Sequence, residues 1–233
     1  MSTLPTPRIC LSLLVKTNQE ALDKMDEPID PRTILELRID SIRRVNLKKL
    51  IARRKGPILI TNRSQDEGGY FAGTEEERVA FLLEAVSLGA DYVDLEMKTA
   101  AVFIERLANK INSPQTGTQL ILSYHNRHKT PRLRELKQIL EEGRRKGAQI
   151  VKIVPMAKEA DDNLEVLRLI PYAKKKGVKV IAFCMGEIGK ISRIMAPFLG
   201  SYLTYAAWSK GQEAAPGQMT VNELKDIFKI IRK

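Results

Sequence analysis

Gln149-Ile150-Val151-Lys152-Ile153-Val154-Pro155-Met156 reads as a short strand of β-branched residues, apolar on both faces, with one lysine in its middle. Runs of that kind suit a strand buried on both sides, as in parallel sheets covered by helices. An ammonium left unpaired there loses its hydration, at an effective cost of several kcal/mol. Desolvation lowers a lysine pKa, so one escape is neutralisation, and a neutral amine is a nucleophile towards ketones and aldehydes. The other escape is for Lys152 to reach a strand end and pair with a carboxylate.

Seven further strand candidates share the chain with this one: Ile9–Val15, Thr33–Ile39, Pro57–Thr61, Tyr92–Glu96, Gln119–Ser123, Val178–Phe183 and Ser201–Tyr205, beside Gln149–Val154 itself. Helical patterns follow them near 18–25, 46–54, 74–88, 99–111, 132–146, 161–176, 188–198 and 220–231. Thr74-Glu75-Glu76-Glu77 is a capping box opening the third helix, and Leu88-Gly89 closes it. No Ser/Gly-rich linker divides the 233 residues. Residues 1–233 therefore read as one α/β domain, a (β/α)8 TIM barrel. An open doubly wound sheet is the competitor, but it calls for a glycine-rich turn after the first strand, and Ser12-Leu13-Leu14-Val15-Lys16-Thr17 has none.

Composition narrows the function. No segment holds eighteen uninterrupted apolar residues, so no membrane-spanning helix is expected. Met1 to Pro7 has neither the basic region nor the apolar stretch of a signal peptide. Cys10 and Cys184, far apart in sequence, read as buried free thiols, which fits a cytoplasmic setting. With two histidines and no C-x-x-C or H-x-x-x-H cluster, a metal site is not expected. The net charge of +11 raises nucleic-acid binding as an alternative. Much of that excess sits in Arg53-Arg54-Lys55-Gly56, Arg144-Arg145-Lys146-Gly147 and Lys174-Lys175-Lys176-Gly177, each ending a predicted helix. Cations there complement the helix dipole, and the glycine is the favoured residue after the last turn. A solvated collar where the strands begin is the reading preferred, so no nucleic-acid partner is expected.

Polar residues gather instead at the carboxyl ends of the strands, where barrel enzymes do their chemistry. In Leu35-Glu36-Leu37-Arg38-Ile39-Asp40 a period of two puts Glu36, Arg38 and Asp40 on one face. Asp94 and Glu96 share a face likewise, as do Ser123 and His125, while Arg63 leaves the third strand with Glu67 close behind. Structural salt bridges account equally well for Asp40, Asp94 and Glu96 taken singly. A histidine near a candidate nucleophile can carry protons, and Arg193, after Met185-Gly186-Glu187-Ile188-Gly189, suits a bidentate grip on a carboxylate. Lys210 to Gln218 forms a flexible loop able to fold over a ligand.

With Glu36-Leu37-Arg38-Ile39-Asp40, Asn62-Arg63, Glu67-Gly68-Gly69, Asp94-Leu95-Glu96, Ser123-Tyr124-His125, Lys152-Ile153, Ile191-Ser192-Arg193 and Ala215-Pro216-Gly217-Gln218 in this order, nearly the whole chain resembles the type I 3-dehydroquinate dehydratases, Schiff-base enzymes of the shikimate pathway. The resemblance implies a homodimeric (β/α)8 barrel acting on 3-dehydroquinate without metal or organic cofactor. It implies that Lys152 forms an imine with the C3 ketone, that His125 carries the C2 proton and assists loss of the C1 hydroxyl, and that Glu67 orients His125. It implies that Arg193 holds the substrate carboxylate, and that Ser12, Glu36, Arg38, Arg63 and Gln218 bind the remaining polar groups. Two departures stand out. Ala214 replaces a serine of many relatives, with Ser209 or Gln212 as possible substitutes, and about eight residues precede the first strand, too few for the hairpin that caps the barrel floor in many relatives. Side chains and the basic collar are expected to close it instead. A lysine-dependent aldolase barrel is a rival, but the closing loop supplies no obvious phosphate site.

Overall fold

Strand and helix alternate throughout the computed structural model, which describes residues 4–233, so the first three residues of Met1–Pro7 lie outside it. The strands are β1 (Ile9–Leu13), β2 (Ile34–Arg38), β3 (Ile58–Thr61), β4 (Tyr92–Glu96), β5 (Gln119–Asn126), β6 (Ile150–Pro155), β7 (Lys179–Ala182), β8 (Thr204–Ala207) and β9 (Met219–Thr220). The helices are α1 (Asn18–Asp26), α2 (Leu47–Ala52), α3 (Glu75–Ser87), α4 (Ala101–Ile111), α5 (Leu133–Arg145), α6 (Asp162–Lys175), α7 (Lys190–Leu199) and α8 (Val221–Ile231). None of these helices is long and apolar enough to cross a membrane.

All strands lie in one curled sheet of order β7-β6-β5-β4-β3-β2-β1-β8-β9, with every neighbouring pair parallel. The expected (β/α)8 architecture is therefore present, with one refinement at the seam between β7 and β8. No ladder joins them. The Tyr202 N–H donates to the Val180 carbonyl at 2.7 Å, and the Ala182 N–H donates to Ser201 Oγ at 3.3 Å. Residues 201–202 are used in that crossing, which is why the eighth strand begins at Thr204 rather than at the expected Ser201. The two-residue β9 is too short for any period to announce it.

Alternation along the strands sorts the core into two shells. Leu35, Leu37, Ile60, Val93, Leu95, Leu120 and Leu122 pack outward against the helices. Cys10, Ile34, Leu59, Tyr92, Ile121 and Ile150 fill the lower barrel. Below them side chains meet across the floor. The Tyr92 and Tyr202 hydroxyls bond each other at 2.8 Å, and the Arg8 guanidinium lies 4.4 Å from the Tyr202 ring centre.

The caps follow the sequence closely. Thr74 and Glu77 make both bonds of the capping box, and Gly147 and Gly177 end α5 and α6 with positive φ. The third collar glycine differs. Gly56 is not left-handed; a Cβ there would meet the Pro31 carbonyl at 2.9 Å, so close approach rather than helix termination requires glycine.

Candidate active site

Lys152 stands in the middle of β6, paired in register with Ser123 of β5 and Ile181 of β7. Of the two escapes open to Lys152, the structure shows the pairing with a carboxylate. Its Nζ donates to Asp94 Oδ2 at 2.9 Å, and both side chains are buried. The ion pair forms inside the barrel, not at a strand end, because β4 carries a carboxylate on the same interior level.

That pair is one link of a longer chain. Asp94 Oδ1 accepts from Arg63 Nη2 at 2.8 Å and from Ser123 Oγ at 2.6 Å. Arg63 Nη1 donates to Glu96 Oε1 at 2.9 Å, and Arg78 of α3 donates to the other Glu96 oxygen. Lys152, Asp94, Arg63, Glu96 and Arg78 thus alternate in sign, which is the arrangement that makes several buried charges tolerable together. Burial alone would raise the Asp94 carboxyl, but the Arg63 and Lys152 cations outweigh it and hold that carboxyl well below the usual carboxylate range. Asp94 therefore stays ionised and anchors the lysine.

His125 lies near the end of β5, which runs three residues further than expected. Glu67 lies in a 3-10 turn (Gln65–Glu67) closed by the left-handed Gly68. The two meet at 2.7 Å, His125 Nδ1 to Glu67 Oε2. Burial pushes the Glu67 carboxyl up to about 7, against the pull of Arg63. Burial also drives the His125 pKa well down, helped by the cations of Arg63 and Lys152. A neutral imidazole whose Nδ1–H is donated to a carboxylate has a free lone pair on Nε2, the form a general base needs.

Arg193 is set by the first turn of α7. Ser192 Oγ accepts the Cys184 N–H and donates to the Gly189 carbonyl, both at 2.9 Å, which ties the turn to the start of the seventh β-α loop. The guanidinium stacks 4.4 Å from the Phe183 ring centre. It is fully buried, its Nε and Nη2 have no partner among the described residues, and desolvation brings its pKa down to about 10. An uncompensated buried cation is costly; its fork fits a carboxylate delivered by a ligand.

The remaining candidates gather around the same space. Glu36 accepts from Ser12 Oγ at 2.6 Å and Thr61 Oγ1 at 2.8 Å. Asp40, expected on the strand face with Glu36 and Arg38, instead sits in a 3-10 turn (Ile39–Ser41) and clamps the Arg38 guanidinium with bonds of 2.9 and 2.8 Å. Gln218 reaches Ser12 Oγ at 3.5 Å and accepts the Ala214 N–H at 2.8 Å. Its loop is seated by Gly217, where a Cβ would lie 2.1 Å from the Gly186 carbonyl oxygen. Ser12, Glu36, Arg38, Arg63, Glu67, His125, Lys152, Arg193 and Gln218 all line one cavity of about 70 Å³. Ala214 lines it too, whereas Ser209 and Gln212 bond each other at 2.9 Å among exposed residues and supply no hydroxyl to it.

A larger groove, about 840 Å³, opens at the opposite end between Arg8, Arg32, Lys229 and Arg232. It gathers cations but, among the described residues, holds neither a buried amine nor a histidine, so volume alone misleads here. The sequence reading passed over two residues of the site. Arg78 falls at the same helical phase as Leu82 and Ala85, and a charge on an apolar face is the signal that could have found it. Tyr205 gave no signal, because an aromatic in a strand reads as ordinary core.

The family model for type I 3-dehydroquinase matches residues 9–233. A 3-dehydroquinate dehydratase of Desulfotalea psychrophila is 38% identical over 221 residues, 95% of this chain and 96% of that one. That of Methanothermobacter thermautotrophicus is 36% identical, covering 92% of this chain and 93% of the relative. A crystal structure of type I 3-dehydroquinate dehydratase from Clostridium difficile, with covalent modified comenic acid, superposes with a TM-score of 0.85 at 26% identity, covering 97% of this chain and 92% of that one.

Proposed function

Because the chain belongs to the type I 3-dehydroquinase family, we propose that it removes water from 3-dehydroquinate, giving 3-dehydroshikimate, through an imine formed on Lys152. The observation that carries this reading is a buried primary amine sharing one cavity with an imidazole–carboxylate pair and a guanidinium that lacks a partner among the described residues.

Lys152 Nζ hands one proton to the C3 carbonyl oxygen as it adds to that carbon, and a second follows, so the oxygen leaves as water and the iminium keeps one N–H and the positive charge. The resulting iminium withdraws electrons from C2, so a proton there becomes removable. His125 Nε2 takes it. The electrons left behind form the C1–C2 double bond as the C1 hydroxyl departs, protonated by His125. Hydrolysis then returns the ketone and frees Lys152, for a net loss of one water. Asp94, held ionised, keeps its place beside the nitrogen and is not a proton acceptor in this scheme. Arg193 receives the substrate carboxylate, and Ser12, Glu36, Arg38, Arg63 and Gln218 meet the hydroxyls and the rest of the ring. A place in the shikimate pathway, a homodimeric assembly, residues 1–233 as one catalytic domain, action in the cytoplasm and independence of metal or cofactor belong to the same reading.

Borohydride added during turnover tests it: peptide mass mapping should find reduced ligand covalently attached to Lys152. Turnover with an unmodified Lys152 would overturn the imine, and absence of turnover would overturn the substrate.

The pH dependence follows from Glu67. When its carboxyl gains a proton it becomes a donor to Nδ1, the ring proton moves to Nε2, and the base is lost. With the Glu67 carboxyl at about 7, kcat/KM should fall about tenfold per unit as pH drops below that value, and Glu67→Gln should remove that limb along with much of the rate. A wild-type profile flat from about pH 8 down to about pH 5.5 would take Glu67 out of the proton path.

A further inference from the structure

Tyr205 rises from β8 beside the reactive nitrogen. Lys152 Nζ lies 4.3 Å from the centre of its ring. The side chain is buried, and among the described residues its hydroxyl makes no well-formed hydrogen bond, its one neighbour of that kind being the weak thiol of Cys10 across the β1–β8 ladder. A buried tyrosine ordinarily brings its O–H to a partner; here the ring is well placed and the hydroxyl is not. On its other side Tyr205 packs against Phe183, ring centres 6.0 Å apart, and Phe183 in turn carries the Arg193 guanidinium.

We propose that the Tyr205 ring is a positioning platform for positive charge on the Lys152 nitrogen, and that the Phe183–Tyr205 pair spaces this cation from Arg193. The proposal rests on the imine reading above. The resting ammonium has Asp94 as its hydrogen-bond acceptor. The iminium keeps a single N–H but the same charge, and a ring face attracts charge without needing a hydrogen. The platform therefore acts through the whole cycle, while the hydrogen bond to Asp94 weakens in its middle. Two cations resting on one aromatic pair are also held at a fixed separation, matching a ketone at one end of a ligand and a carboxylate at the other.

The test compares substitutions at one position. Tyr205→Phe keeps the ring, so kcat and KM should stay within about threefold, and losing a poorly bonded buried hydroxyl should raise Tm by roughly 2–4 °C. Tyr205→Leu should lower kcat about tenfold to thirtyfold, with KM little changed and borohydride-trapped adduct reduced in parallel. Tyr205→Met serves the same purpose if the leucine variant does not fold. Successively fluorinated phenylalanines at 205 keep the shape while draining the ring face of negative charge, so kcat should step down with each fluorine; a merely structural ring would leave it level. Loss in Tyr205→Phe equal to that in Tyr205→Leu, or a level fluorine series, overturns the platform. Absence of adduct in the wild type would instead overturn the imine reading on which it stands.

Discussion

Replacing Lys152 by methionine will slow turnover of 3-dehydroquinate by at least about 10⁴-fold, because among the described residues no other primary amine lines the cavity to form the covalent intermediate. Methionine preserves most of the side-chain volume, so the lower barrel stays filled. Asp94 keeps Arg63 and Ser123 as partners at 2.8 and 2.6 Å, and the network does not collapse around an orphaned carboxylate. The variant should therefore melt cooperatively, and borohydride should leave it unlabelled at every substrate concentration. Activity within tenfold of wild type in Lys152→Met would end the covalent mechanism. Using Lys152→Ala alongside it separates chemistry from packing, since both lose the amine but only alanine opens a cavity.

His125→Ala should cost about 10² to 10⁴ in kcat, the range of a positioned acid–base group, and yet leave trapping at Lys152 intact. The two roles are separable because different elements supply them: the nitrogen is fixed by Asp94 of β4, the imidazole by Glu67 after β3. Mass spectrometry of the trapped species should then show more substrate-derived than product-derived adduct, since the imine forms but does not eliminate. Equal loss of trapping in the lysine and histidine variants would mean that His125 is needed for imine formation itself.

Much of this architecture was legible beforehand because each strand announces itself locally. Glu36 and Arg38, Asp94 and Glu96, and Ser123 and His125 point inward for no reason but alternation. Pairing was not legible. Lys152 and Asp94 lie 58 positions apart, and which carboxylate shares the lysine's level depends on register and on barrel stagger, neither of which a single strand encodes. Arg78 enters from a helix outside the sheet, and its partner Glu96 was readable only as a charge seeking company. Tyr205 carries its meaning in a distance to one nitrogen rather than in its residue type. The closing loop is the intermediate case: its glycine and proline mark a turn, but Gly217 is required by the carbonyl of Gly186, thirty-one residues away by number (217 − 186).

The junction between β7 and β8 has a mechanical corollary. Elsewhere the cylinder is stitched rung by rung, whereas here one amide bond and one serine hydroxyl span the gap. Breathing of the wall concentrates at such a slack stave, and α7, which bridges it, bears Arg193. Amide hydrogen exchange should therefore be faster at Ala182 and Tyr202 than along β5 and β6, where Ser123 and Lys152 sit in an unbroken ladder.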